Sequence, residues 1–558
     1  MKHSLLFVSI KVVGRPVFVV VLAAAFLMVS CISAENDFRK VQGEMSDVMM
    51  KEFDKTISDD SFMGRRPCTP SEKKTTEFLV QELSKIGFEP AFRQADGSFS
   101  YFQEVPLISI ASQVKASIHG LALHSSRPVE KIELKDVRMV FCGFGIVAPK
   151  YGFNSYKDVD VKGKIAVVLI NDPGLYLSLN SGLSETAGTV TSENGEIPFK
   201  GSELTYYGRW TYKFEEAARQ GAAGVIIIHE EYGAGYNFNV ASRSSKMANL
   251  YINTPDLMNN CAVEGWIEGE SAAQLLAKEG YNLQDLRMKA CSSDFKSFPL
   301  TTKLSVSITN TMEESASVNV AGILRGSSKP DEAVVVSGHW DYFGVDTAPK
   351  PGATDTIYNG AVDNGTTMAW ALEIGRAYAR LKQRPARSLM IFFPTAEEQG
   401  LLGSKYYVEH PAIEMNKTVA CINDDMMYPR GKMKDLMIIG KGYYPQLDSL
   451  YSEAAARQER YITGDPNAHT GMFFRSDQLA FHLKGVPSSW AFGCYDSREY
   501  GKEWALETWD YFLKNVYHTT NDDYNPDWDW SGIVEDAQVA FEVIYRLTSC
   551  NNPFQGRE

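Results

Sequence analysis

The chain has 558 residues, 44% of them hydrophobic and 12% aromatic, and its formal net charge is −13. This length suits two or three domains, and this composition is that of a globular protein with a large apolar core. The acidic balance argues against a surface for nucleic acid or for anionic membranes. We therefore expect no nucleic-acid partner.

The first 34 residues have the pattern of a secretion signal. Three basic residues precede an apolar run, residues 17–29, which is shorter than the roughly 20 residues of a transmembrane helix. Residues 28–31, Met-Val-Ser-Cys, resemble a bacterial lipoprotein box, so we expect Cys31 to be lipidated and to tether the protein to a membrane. Ordinary cleavage after Ala34 is the alternative. The protein is thus expected to be exported, as a periplasmic or outer-membrane lipoprotein or in secreted form.

Two regions with different sequence patterns precede residue 316. Within residues 35–118, the apolar spacing of 71–90 predicts a helix, and a strand follows at 101–110. Within residues 119–315, short apolar strands such as GKIAVVLIND and AAGVIIIHE flank a helix with the sequence TYKFEEAARQGA. Strands that alternate with helices indicate a smaller α/β unit.

From residue 316 onward the pattern predicts a second α/β unit. The segments VNVAGILRG, AVVVSGHWD, SLMIFFPTAEE and VACINDDMM are continuously apolar, as buried strands are, and helices are predicted after Asn364 and near 404–410. Such strands with helical crossovers favour a mainly parallel, mixed sheet flanked by helices. Ligands of these sheets bind beyond the carboxyl ends of the strands.

Groups able to bind metal cluster at those predicted strand ends and at two loop positions. They are His339, Asp341, Asp363, Glu397, Glu398, Asp425 and His518. Each alone has a plainer explanation, such as a helix cap or a solvated loop. Together, two imidazoles and several carboxylates at one edge form the donor set of a hydrolytic zinc site, with enough carboxylates for two metals that share a bridge. Asp341 is placed to accept a hydrogen bond from the ring of His339.

Five motifs in sequence order carry a family resemblance. SGHWD, YNGAVDNGT, TAEEQGLLGS, INDDM and YHTTND resemble the co-catalytic di-zinc aminopeptidase family, which also contains glutamate carboxypeptidase II and the glutaminyl cyclases. The resemblance covers about 316–550 and the helix near 71–90. It implies the zinc-peptidase fold, a phosphorylase/hydrolase-like α/β domain, and a peptide substrate.

The resemblance also implies a role for each matching residue. It places two zinc ions on five residues: His339 and Asp425 on one ion, Glu398 and His518 on the other, and Asp363 between them. Glu397 would be the general base that activates a water shared by the two zinc ions. Tyr517 would polarise the substrate carbonyl, and Arg475 would lie near the substrate amine. The peptide bond after Asp363 is expected to be cis.

Two positions depart from the family pattern. The family often has histidine where this chain has Tyr342, and again where it has Gln478. Neither position is an implied zinc ligand, so the departures bear on substrate preference and leave the implied chemistry in place.

Residues 119–315 carry a resemblance of their own. GFGIVAPKYGFNSYKDVDVKGKIAVVLINDPG and YYGRWTYKFEEAARQGAAGVIIIHE resemble a protease-associated domain, a module commonly inserted into such peptidases. The expected organisation is a signal to residue 34, the first part of the peptidase domain at 35–118, the insert at 119–315 and the catalytic part at 316–555. The insert is either a purely structural unit or a lid over the substrate.

The function implied is that of an exported di-zinc metallopeptidase, first of all an aminopeptidase. A carboxypeptidase or dipeptidase of the same family is the alternative. A glutaminyl cyclase is less favoured, because the cyclases resemble a catalytic domain without an insert. A receptor-like relative that has lost catalysis need not keep the ligands and the base, and all six positions are present here. The oligomeric state and the preferred N-terminal residue are not predicted.

Overall fold

The structure is a computed structural model that describes residues 33–180, 191–192, 195–196, 199–347, 349 and 352–554. The expected signal segment, except residues 33 and 34, and the expected lipidation site Cys31 lie outside the described residues. No helix among the described residues is long and apolar enough to cross a membrane.

Helices and strands alternate along most of the chain. The α-helices are 33–43, Val48–Ile57, Pro70–Lys85, Pro173–Asn180, Trp210–Arg219, Glu231–Ala234, Phe238–Ser244, Gly269–Lys278, Leu283–Ala290, Thr366–Ala379, Leu402–Glu409, Pro445–Ala456, Gln478–Leu483, Gly501–Asn515 and Ser531–Ser549. The strands of the large sheet are Glu89–Pro90, Phe102–Ala116, Leu121–His124, Lys131–Phe141, Ile165–Leu169, Gly224–Ile228, Ala248–Ile252, Val263–Ile267, Phe298–Leu324, Lys329–Ser337, Arg387–Phe393, Thr418–Asn423, Asp435–Ile439, Tyr461–Gly464 and Ser488–Phe492. Short two-residue pairs join Phe92–Arg93 to Phe99–Ser100, Val147–Ala148 to Phe153–Asn154, Thr191–Ser192 to Gly195–Glu196, and Gly344–Val345 to Ile357–Tyr358.

Four parallel strands form the centre of the C-terminal half. Ser488–Phe492, Thr418–Asn423, Lys329–Ser337 and Arg387–Phe393 lie side by side in this order. Three of them are buried along nearly their whole length and Lys329–Ser337 is buried from Ala333 onward, which explains the continuous apolar runs in these strands. Because they run in parallel, their carboxyl ends meet at one edge of the sheet.

Helices cover both faces of this central sheet. On one face, Thr366–Ala379 is buried along nearly its whole length and packs against Val48–Ile57 and Ser531–Ser549. On the other face, Tyr407 and Phe481, from two further helices, pack against Phe392 of a central strand. The predicted mainly parallel, mixed α/β sheet is confirmed, with antiparallel pairs at Phe298–Leu324 and at Asp435–Ile439.

One long strand joins the two halves of the molecule. Phe298–Leu324 pairs with Arg387–Phe393 near its end and with Lys131–Phe141 near its start. Between them it forms an antiparallel ribbon with Phe102–Ala116 over fifteen consecutive residue pairs, from Val306 with Ala116 to Val320 with Phe102. The middle region therefore extends the same sheet.

The middle region has its own sheet and core. Lys131–Phe141, Ile165–Leu169, Gly224–Ile228 and Val263–Ile267 are neighbouring parallel strands, as the sequence predicts for an α/β unit. Two apolar clusters separate from the C-terminal core fill the two faces of this sheet. The interpretation as a protease-associated domain, with the bounds 119–315, stays a prediction.

A buried carboxylate joins the first helix to the last. Glu542 lies 2.6 Å from Nη1 of Arg39, 3.0 Å from Arg457 and 2.7 Å from Arg546. Burial raises the pKa of Glu542, but the three guanidinium groups outweigh it and the pKa lies below its usual value. A depressed pKa stabilises the fold above the unfolded-state pKa, and that stabilisation disappears as the pH falls through the folded-state pKa.

We expect Glu542→Gln to lower the free energy of unfolding at pH 7 by about 1–3 kcal/mol, a value reduced because the arginines reach solvent. The difference from wild type should shrink as the pH falls below the ordinary carboxyl pKa of 4.5. Urea unfolding at pH 7 and pH 4 measures both effects. The matched control is Glu453→Gln, because Glu453 also pairs with Arg546 but its side chain is 44% exposed. A Glu542 variant as stable as this control at pH 7 would contradict the prediction.

Candidate metal centre

Three neighbouring strands place the predicted site residues at one edge of the sheet. His339 lies two residues beyond Lys329–Ser337, and Asp425 lies two residues beyond Thr418–Asn423. The strand Arg387–Phe393 leads into Pro394 and a turn in which Ala396 has a φ of 52°. This left-handed residue changes the direction of the chain, so Glu397 and Glu398 follow the turn and not an extended strand.

Loops supply the other two predicted residues. Asp363 lies three residues before the start of the helix Thr366–Ala379, and the peptide bond from Asp363 to Asn364 is cis, as the family resemblance predicts. The Asp522 carboxylate accepts hydrogen bonds from the backbone N–H groups of Val362 and Asp363, at 2.8 and 3.0 Å. His518 follows the helix Gly501–Asn515 and has a φ of 57°.

Asp363 lies between the two histidines. Its Oδ1 is 3.2 Å from Nε2 of His339, and its Oδ2 is 3.2 Å from Nε2 of His518. A second carboxylate accompanies each ring. Asp425 Oδ1 is 3.6 Å from His339 Nε2, and Glu398 Oε2 is 3.4 Å from His518 Nε2. The five predicted ligands therefore form two adjacent groups that share Asp363.

The donor atoms of these groups fit zinc. Ligands about 2.0–2.2 Å from a tetrahedral zinc ion lie about 3.3–3.5 Å from each other, close to the separations observed here. Asp363 Oδ1, Asp425 Oδ1 and Glu398 Oε1 are buried without a hydrogen-bond partner. Buried carboxylate oxygens are normally paired or bind a metal, so the donor set agrees with a cation between them.

Burial and mutual repulsion shift the pKa values of the acids. Burial, with the neighbouring Asp363, raises the pKa of Glu398 to about 7, although His518 opposes the shift. Burial also raises the pKa of Glu397 and of Asp425. At Asp363 burial is outweighed by His339 and His518, which lower its pKa. Concentrated charge of this kind is typical of a functional site.

Asp341 accepts a hydrogen bond from the His339 ring, but through its backbone carbonyl and not through its carboxylate. The ring Nδ1 lies 3.0 Å from the backbone carbonyl oxygen of Asp341 and 3.8 Å from its Oδ1. The carboxylate instead accepts hydrogen bonds from the backbone N–H groups of Glu397 (2.9 Å) and Glu398 (3.4 Å). The carboxylate of Asp341 therefore contacts the turn that contains Glu397 and Glu398, and its backbone contacts the His339 ring.

Glu397 and Tyr517 lie within the same cluster. Glu397 Oε2 is 3.9 Å from His339 Nε2, farther than the oxygens of Asp363 and Asp425. Its carboxylate, His339 and Asp425 also form a group whose donor atoms lie within 4.8 Å of each other. The ring of Tyr517 stacks on His518 at 3.7 Å, and burial together with the nearby carboxylates raises its pKa.

The two positions that depart from the family pattern make internal contacts. The Tyr342 hydroxyl accepts a hydrogen bond from the backbone N–H of His518 at 3.2 Å. Gln478 is buried, accepts a hydrogen bond from Asn423, and donates one to the carbonyl of Phe473. Neither side chain is therefore free to contact a substrate in this structure.

Comparison with known proteins identifies the C-terminal half. Residues 319–543 match the profile of Peptidase family M28. The part of the chain that contains the clustered site residues is therefore similar to this family. The match contains the five clustered ligand positions and Glu397, and it confirms the family predicted from the five motifs.

Named relatives match shorter stretches. The mouse Aminopeptidase NAALADL1 is 34% identical over 135 residues, which are 23% of this chain and 16% of that protein. A probable leucine aminopeptidase 2 of Aspergillus oryzae is 30% identical over 190 residues, which are 32% of this chain and 34% of that protein. The chain thus spans about a sixth to a third of the length of these relatives. An aminopeptidase structure from Aneurinibacillus sp. strain AM-1 aligns with 92% of this chain and 97% of its own, at a TM-score of 0.46 and 17% identity.

Arg65 is a residue of the M28 site that the sequence did not indicate. It is fully buried and donates hydrogen bonds to backbone carbonyls of Trp340 (2.9 Å), Gly360 (2.8 Å) and Asn359. These carbonyls belong to the two loops that contain His339 and Asp363. No motif reveals this role, because it depends on the packing of an N-terminal turn almost 300 residues away.

Arg209 is a second residue that sequence reasoning missed, and it comes from the insert. Burial lowers its pKa to about 10, the nearby Arg475 adds to this effect, and Glu397 opposes it. Its Nε has no hydrogen-bond partner. Arg475, predicted to lie near the substrate amine, donates to the carbonyls of Thr470 and of Ala234 in the insert. The sequence pattern that could have indicated Arg209 is the stretch YYGRW, in which it is a single cation among aromatic residues.

We expect Zn²⁺ to raise the thermal unfolding midpoint of the chelator-treated protein, because a cation relieves the repulsion among the buried carboxylates. At a thousandfold excess over Kd, one bound ligand stabilises a fold by about 4 kcal/mol. Scanning calorimetry with and without zinc measures the shift. The matched control is the double variant His339→Ala and His518→Ala, in which the shift should nearly vanish. An equal shift in that variant would mean that zinc acts elsewhere.

Proposed function

We propose that this protein is a zinc-dependent metallopeptidase that uses two zinc ions to release N-terminal residues from peptides. One observation carries the proposal: the two oxygens of Asp363 face different histidines, and each histidine has a second carboxylate beside it. The names of the relatives, an aminopeptidase and a probable leucine aminopeptidase, support the direction of cleavage.

The proposed ligands divide into two sets. His339 and Asp425 would hold one zinc ion, His518 and Glu398 the other, and Asp363 would contribute one oxygen to each. Zinc held there would act as a Lewis acid toward the peptide carbonyl and would lower the pKa of water in the site.

Glu397 is the proposed general base. It is buried, and the carboxylate of Asp341 fixes its backbone N–H at 2.9 Å. Asp363 and Asp425 lie closer to His339 than Glu397 does, which leaves Glu397 available to move a proton. It would take a proton from the attacking water and pass it to the leaving amine. Burial raises its pKa, which suits a group that must both accept and release a proton.

Tyr517 is the proposed hydrogen-bond donor to the substrate carbonyl. Burial and the carboxylates around it raise its pKa, so the phenol keeps its proton at neutral pH. A protonated phenol beside the carboxylates can stabilise negative charge that develops on the carbonyl oxygen.

We expect Glu397→Gln to keep the zinc content of wild type and to lower kcat by about 10²–10⁴-fold, the usual contribution of a general base. Elemental analysis and peptide hydrolysis measure the two quantities. Glu409→Gln is the control, because Glu409 lies at the end of the next helix with its side chain 61% exposed and should behave as wild type. Near-native turnover in Glu397→Gln would refute the role.

A second candidate function is cleavage next to a free carboxyl terminus, by a carboxypeptidase or dipeptidase. The observation in its favour is the pair Arg209 and Arg475: Arg475 lies close enough to Arg209 to lower its pKa, and Glu397 lies close enough to oppose that shift. Adjacent like charges repel, and the carboxylate of a substrate terminus would relieve that repulsion.

A panel of peptides with free or blocked termini separates the two functions. For an aminopeptidase, blocking the N-terminus should abolish cleavage, whereas amidation of the C-terminus should leave it unchanged. For the alternative, C-terminal amidation should abolish cleavage, and Arg209→Gln should raise KM for free-acid peptides at least tenfold. Arg243→Gln, an exposed arginine of the insert, is the control. Cleavage that needs only a free C-terminus would refute the aminopeptidase proposal.

Export is part of the proposal. It rests on the basic residues, the apolar run 17–29 and the Cys31 box, which support a periplasmic or outer-membrane lipoprotein, or a secreted protein if cleavage follows Ala34.

A further inference from the structure

His518 is held differently from His339. The side chain of His339 is 1% exposed and that of His518 is 36% exposed. The Nδ1 of His339 is bonded to a carbonyl, whereas among the described residues no hydrogen bond reaches the Nδ1 of His518. A ligating histidine is usually oriented through its second ring nitrogen. The position of His518 must therefore be fixed in another way.

The backbone of His518 has one anchor to the sheet edge. Its N–H donates a hydrogen bond of 3.2 Å to the hydroxyl of Tyr342. The rings of Tyr517 and Phe343 contact the imidazole at 3.7 and 4.7 Å, but ring contacts alone permit sliding. The hydroxyl is the polar contact that fixes the distance between this turn and the loop after His339.

Tyr342 is itself rigidly placed. Its side chain is fully buried, and its backbone N–H donates a hydrogen bond of 3.3 Å to the carbonyl of Arg65. Because the ring is shielded, neither water nor a substrate reaches this hydroxyl.

We propose that Tyr342 is a positioning residue: its hydroxyl holds His518 in place for the second zinc ion, and the side chain does not select the substrate. This inference rests on the proposed two-zinc function. It replaces the expectation that this departure from the family pattern alters substrate preference. Tyr342 follows His339 by three residues, so one short segment places a ligand of the first ion directly and a ligand of the second ion through a hydrogen bond.

The test is Tyr342→Phe, which removes the hydroxyl and keeps the ring. The chelator-treated protein is titrated with Zn²⁺ alone, and with Co²⁺ alone to follow visible absorbance. The first equivalent should bind as in wild type, and the second about tenfold more weakly, as expected for the loss of one hydrogen bond. The control is Tyr358→Phe, whose ring packs beside Tyr342 and Phe343.

Kinetics separate positioning from substrate contact. With saturating zinc, Tyr342→Phe should recover wild-type kcat and KM, because the excess metal compensates for the weaker site. A KM that stays raised at saturating zinc would overturn the inference in favour of a substrate role. The inference would also be overturned if Tyr342→Phe bound each of the two zinc equivalents as tightly as wild type binds it. Wild-type protein that binds no zinc would instead refute the proposed function itself.

Discussion

Concentrated negative charge at one sheet edge is the constraint on which the site depends. Six acidic side chains meet there, nearly all buried: Asp341, Asp363, Glu397, Glu398, Asp425 and Asp477. Two like charges 4 Å apart repel by about 4 kcal/mol at an effective dielectric constant of 20. A fold that keeps such a cluster needs cations, protons or N–H groups close to the oxygens. The two histidines supply part of the positive charge that these acids require. The carboxylate oxygens without a hydrogen-bond partner are available to bind a metal.

The surrounding structure answers that constraint with backbone groups. Asp341 and Asp522 are themselves acids, yet each accepts two backbone N–H groups and so fixes the loops that contain Glu397 and Asp363. Arg65 is a buried cation that donates hydrogen bonds to backbone carbonyls of the loops that contain His339 and Asp363. Rigid positions for the proposed ligands thus come from pairing buried charges with main-chain dipoles, which cannot move without deforming the sheet.

Sequence reasoning was most successful where local pattern and topology coincide. Continuous apolar strands implied parallel neighbours, and parallel neighbours implied that His339, Glu398 and Asp425 share an edge. It failed where contacts join distant segments. The pattern near His339 predicted the contact of Asp341 with the ring, but it did not show that the Asp341 carboxylate accepts hydrogen bonds from the distant Glu397 and Glu398. Arg65 and Arg209 were missed because their roles arise only when an N-terminal turn and an inserted module pack against the site.

The antiparallel ribbon of Phe102–Ala116 and Phe298–Leu324 has a consequence for engineering. The middle region leaves the far end of this ribbon, and its strand Ala248–Ile252 pairs along the side of the ribbon, so the length of the ribbon contributes to the distance between this region and the sheet edge. Adding two residues to each strand keeps every side chain on its present face of the ribbon and lengthens the ribbon by about 7 Å. Such a change is expected to move Arg209 away from Arg475 and Glu397 while every proposed zinc ligand keeps its place in the sequence.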